Sequence, residues 1–62
     1  MKSNPRFHVY HKQAGAPGEI ALRTDSGLDA LDYARTLATY ETTTAALVIS
    51  ARTGATVYDA HA

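Results

Sequence analysis

The hydrophobic pattern changes its period twice along the chain, and few architectures satisfy both changes. From Arg6 to Lys12 the residues alternate, with Phe7, Val9 and His11 on one face and His8, Tyr10 and Lys12 on the other. Glu19 to Thr24 alternates again, with Ile20 and Leu22 pointing one way and Ala21 and Arg23 the other. A period of two belongs to a half-buried strand. Beyond Asp25-Ser26-Gly27 the spacing becomes helical, since Ala30, Ala34 and Ala38 recur at every fourth residue, flanked by Leu31 and Leu37. Two further strands follow, over Ala45 to Ala51 and Ala55 to Ala60. The expected fold is α+β in the order β-β-α-β-β: one amphipathic helix packed on a small, mainly antiparallel sheet of about four strands.

Local punctuation supports this order. Gln13-Ala14-Gly15-Ala16-Pro17-Gly18 has the composition of a reversing loop. Ser26 suits an N-cap, Asp29 can return its carboxylate to the helix start, and Asp29 and Asp32 favour the positive end of the helix dipole. The spacing predicts a helix from about Gly27 to Glu41, with Tyr33 and Tyr40 on its border and Thr42-Thr43-Thr44 leading into a strand. Its row of small residues should let the helix approach the sheet closely. Arg52-Thr53-Gly54 suits a three-residue connection with Gly54 left-handed, pairing Ile49 with Val57 and Val48 with Tyr58. A two-residue turn at Thr53-Gly54 would pair Ile49 with Tyr58 instead.

The residues predicted inside are Phe7, Val9, Ile20, Leu22, Leu28, Leu31, Leu37, Leu47, Ile49 and Val57. This is a thin core for 62 residues, and without cysteine no disulfide can supplement it. Self-association is the natural alternative, and a homodimer is expected. Residues 1–5 read as a flexible tail, with Pro5 biasing Asn4 toward extended geometry, and residues 6–62 as one domain.

Six Lys or Arg balance six Asp or Glu, so no net field draws a polyanion. Lys2, Arg6, Lys12, Arg23 and Arg52 fall in the tail, strands and turn, whereas Asp25, Asp29, Asp32 and Glu41 gather on or beside the helix. The sheet side should be weakly basic and the helix side acidic. Met1 to Arg6 has no apolar run behind its charges, and no stretch approaches the ~20 apolar residues that span a bilayer. A cytoplasmic location without membrane contact is expected.

Residues capable of chemistry are few. His8 and His11 are three apart, so on a strand they point to opposite faces and cannot close on one metal ion; His61 lies near the end of the sequence. Ser26 beside Asp25 has no histidine at a readable spacing, and the cap explains both residue types. Asp29 and Asp32 share an exposed helical face where acids stabilise the dipole. Gly15-Ala16-Pro17-Gly18 lacks the lysine and hydroxyl residue of a phosphate-binding loop. No catalytic, metal or cofactor site is expected, and the chain reads as non-enzymatic.

What remains is the sheet face away from the helix. His8, Tyr10, Lys12, Arg23, Val48, Thr56 and Tyr58 are predicted there as an interaction surface, with Ala21 and Ser50 beside them. The plain reading is a solvated face of ordinary cross-strand pairs. If the face is functional, protein contact needs Tyr10, Val48 and Tyr58 contiguous, whereas single-stranded nucleic acid would stack on Tyr10 and Tyr58 with Lys12 and Arg23 near phosphates. The balanced charge and the acidic helix argue for protein, either a second copy or another protein, over nucleic acid. Leu47-Val48-Ile49 followed by Thr53-Gly54 and Val57 gives a layout that loosely resembles short bacterial proteins with two strands, an alanine-rich helix and a closing hairpin. The resemblance covers the layout alone and assigns no site residue. The expectation is a small accessory or regulatory protein of bacterial or phage type, acting through protein contact as a homodimer.

Overall fold

The computed structural model describes residues 5–61. Of the tail expected over residues 1–5, residues 1–4 lie outside the described residues. The elements are β1 (Phe7–Gln13), β2 (Glu19–Thr24), α1 (Gly27–Ala38), β3 (Thr43–Ser50) and β4 (Thr56–Asp59), which is the α+β order expected. The sheet runs β2-β1-β3-β4, and every neighbouring pair is antiparallel. Consequently β2 and β3 run parallel on either side of β1, and α1 is the crossover that joins them over one face of the sheet.

Ser26, extended at φ −91° and ψ 114°, caps the helix by accepting the Asp29 N–H at 3.1 Å. The helix stops at Ala38 rather than Glu41 because its threonines offer the backbone other partners. Thr36 Oγ1 donates to the Asp32 carbonyl at 3.0 Å and Thr39 Oγ1 to the Thr36 carbonyl at 2.6 Å. The amides of Thr39 and Tyr40 reach back to the carbonyls of Thr36 and Leu37, at 3.1 and 3.2 Å, which tightens and ends the last turn.

The core is Val9, Ala30, Ala34, Leu37, Ala46 and Val48, with Phe7, Ala21, Leu22, Ala38 and Ala60 packed at its margin. The alanine row faces the sheet as expected. Helix and sheet come close, and the β3 residues beneath the helix are correspondingly small: Ala46 is fully buried and Val48 is 3 % exposed. Leu47 and Ile49, predicted as core, therefore lie on the other face. Three apolar residues in succession carry no alternation; volume and register decide, with Val48 directly opposite Val9.

Two irregularities in register account for the remaining differences in the strands. Val9 pairs with Leu22 but Tyr10 pairs with Ile20, leaving Ala21 as the extra residue of a bulge. Ile20 and Leu22 thus face opposite ways, and Ala21 turns to the core margin. Val48 pairs with Tyr58 as expected, but Ile49 pairs with Thr56, so Val57 is the extra residue and is 56 % exposed. Gly54 is left-handed, at φ 78°. Leu28, expected inside, is 68 % exposed: it precedes Ala30 by two residues, about 200° around the helix axis.

Candidate functional site

Directly opposed residues of an antiparallel pair share a face, so the register defines what the uncovered side of the sheet presents. One cross-strand row is Arg23, His8, Ile49 and Thr56; the next is Ile20, Tyr10, Leu47 and Asp59; Lys12 and Ala45 begin a third. Ile20, Tyr10 and Leu47 form an apolar band across three strands, with Ile49 beside it, and all four are half-buried although α1 lies on the other face. The Tyr10 ring extends over the loop at Gly18, where an added Cβ would overlap the hydroxyl end of the ring. That contact needs glycine at position 18 and closes the β2 end of the band.

Of the residues predicted for this surface, His8, Tyr10, Lys12, Arg23 and Thr56 are on the open face. Val48 is not: it is core beneath the helix, and Tyr58, opposite it, lies on the helix side at the sheet edge with 41 % exposure. Ser50, opposite Phe7, and Ala21 also belong to the helix side. Sequence reasoning missed Ile20, Leu47, Ile49 and Asp59. The available signal was bulk, because a close helix leaves no room beneath it for leucine and isoleucine. With Tyr10 and Tyr58 on opposite faces, the two-tyrosine platform for stacking bases is not formed.

His8 faces outward and His11 faces the helix, as the alternation requires. His11 is 7 % exposed, meets Thr43 Oγ1 at 2.8 Å through Nε2, and takes the Tyr40 ring edge-on at a centroid distance of 6.1 Å. His61 donates its backbone N–H to Asp59 Oδ1 at 3.0 Å. Among the described residues, no group of three or more histidine and acidic side chains is placed to hold a metal ion. Ser26 is the helix cap, and the Asp25 carboxylate accepts the Arg6 N–H at 3.0 Å, so each has a structural partner. No buried side-chain polar atom among the described residues lacks a hydrogen bond.

Comparison with protein-family models, curated proteins and solved structures finds no match to this chain. Among the described residues, no helix is long and apolar enough to cross a membrane. The site therefore rests on its own geometry: a partly apolar sheet face with basic groups toward β2 and an acid on β4, suited to contact with another surface.

Proposed function

We propose that this chain is a small non-enzymatic accessory or regulatory protein of the bacterial cytoplasm that works as a homodimer, its open sheet faces packed together. The observation that carries this reading is the band Ile20, Tyr10 and Leu47 with Ile49 beside it, on a face that no element among the described residues covers. Charge placement supports a second copy as the occupant. Arg23 stands on β2 and Asp59 on β4, at opposite margins of the face. A two-fold axis along the strands sets β2 of one copy over β4 of the other, which brings Arg23 toward the other copy's Asp59 twice, as a self-complementary interface requires.

Sedimentation velocity over a concentration series tests this. Wild type should be dimeric, and Leu47→Lys should be monomeric with an unchanged circular dichroism spectrum, because Leu47 lies outside the core. Arg23→Glu should weaken the dimer, and adding Asp59→Arg should restore it. A wild type that stays monomeric at high concentration, or a Leu47→Lys variant that still dimerises, overturns the proposal.

A further inference from the structure

At one end of the sheet, away from the apolar band, the chain entering β1 and the turn leaving β3 enclose a cleft of about 630 Å³. Its lining is Pro5, Arg6, Phe7, Ser50, Ala51, Arg52 and Thr53, with both arginines and no carboxylate. The size falls within the range of small-molecule sites, about 300 to 1,000 Å³. The Ala51 N–H donates to the Arg6 carbonyl at 2.9 Å and fixes the two walls to each other.

The hydrogen-bonding state of the lining is one-sided. Ser50 Oγ accepts the Thr53 N–H at 3.3 Å, and Thr53 Oγ1 accepts the Ala55 N–H at 3.2 Å. Both hydroxyl oxygens thus already act as acceptors, and neither proton is given to another described residue. The guanidinium groups of Arg6 and Arg52 likewise have no partner among the described residues. The nearby Asp25 carboxylate accepts the Arg6 backbone N–H and is not part of the lining. Donors therefore outnumber acceptors among the cleft's side chains, and its formal charge is positive.

We infer that this cleft binds a phosphate monoester whose organic part bears a flat ring, a ligand of the nucleotide type. Two guanidinium groups match a phosphate of charge near −2, and its three terminal oxygens can accept from both arginines and both hydroxyls, which exceeds what a carboxylate offers. Phe7 and Pro5 supply an apolar wall for the ring. Inorganic phosphate would leave most of the volume empty.

The test is an amide chemical-shift titration of the whole, isotope-labelled chain with adenosine monophosphate, inorganic phosphate and adenosine. Adenosine monophosphate should saturate with shifts confined to Arg6, Phe7 and Ser50 through Thr53, and should bind more tightly than either fragment. Arg6→Gln and Arg52→Gln should each weaken it about tenfold without changing the melting temperature, since both side chains are exposed. Arg35→Gln, on the helix, should leave binding unchanged. Shifts spread evenly over all the arginines, adenosine binding as tightly as its monophosphate, or full affinity in Arg52→Gln would each overturn the inference. So would inorganic phosphate binding as tightly as the nucleotide.

Discussion

His11 and Thr43, thirty-two positions apart in the sequence, meet with 2.8 Å between the imidazole Nε2 and the threonine Oγ1. Thr43 gives its single hydroxyl proton to the Leu37 carbonyl at 2.7 Å, and a carbonyl can only accept. The imidazole is therefore the donor, and Nε2 carries a proton. One buried chain of hydrogen bonds thus ties β1, the start of β3 and the end of α1 together.

Replacing Thr43 by valine keeps the volume but leaves the His11 N–H without an acceptor, while the Leu37 carbonyl keeps the Tyr40 N–H at 3.2 Å. The expected loss is about 1–3 kcal/mol for the one orphaned donor. Urea denaturation measures it. Thr43→Ser should retain most of the stability, and a valine variant with an unchanged midpoint would show that the chain contributes nothing.

Ala34 is fully buried between helix and sheet. Ala34→Leu should destabilise by about 1–3 kcal/mol, because the added carbons must displace Val9, Val48 or the helix itself. Thermal unfolding checks this, and an unaltered melting temperature would contradict the close approach of the helix.

Gly18 and Tyr10 should be energetically coupled. Gly18→Ala places a methyl where the Tyr10 ring end lies, so the ring must swing away from the loop. The substitution should cost stability in wild type and much less in Tyr10→Ala, with a coupling of at least about 0.5 kcal/mol in a double-mutant cycle. Additive effects would mean that the ring does not occupy that position in solution.

Val48 and Leu47 are neighbours in sequence with opposite roles. Val48→Lys puts a charge in the core and should cost more than about 4 kcal/mol, enough to unfold a scaffold whose single core supplies roughly 3–5 kcal/mol. Leu47→Lys should remain folded. Circular dichroism on the two variants separates the faces of β3, and the reverse outcome would invert them.

The element order, the Ser26 cap, the alanine face of the helix and the left-handed Gly54 were all legible in the sequence, because each follows from local period or local backbone chemistry. The faces of β3 were not. Leu47-Val48-Ile49 is apolar on both sides, and the choice depends on how near Ala30 and Ala34 let the helix come, which is a tertiary quantity. Alternation also could not reveal the bulges at Ala21 and Val57: each exists only relative to a partner strand, and each flips the side chains beyond it. The open face was therefore recognised as a surface while part of its content was misplaced, with Val48 and Tyr58 standing where Leu47, Ile49 and Ile20 belong.

The central place of β1 governs how the chain can reach its native state. Its partners β2 and β3 lie on either side, and the pairing of Val9 with Val48 spans most of the sequence. β1 can form a hairpin with β2 as soon as both are synthesised, but it gains its second neighbour only after the helix and β3 have followed. Closing so long a loop before its contacts form is what slows high-contact-order folds, so this chain should fold more slowly than a helical bundle of equal length. Until β3 docks, the free side of the β1–β2 hairpin is an unpaired edge, and the nascent chain is open to mispairing with its neighbours.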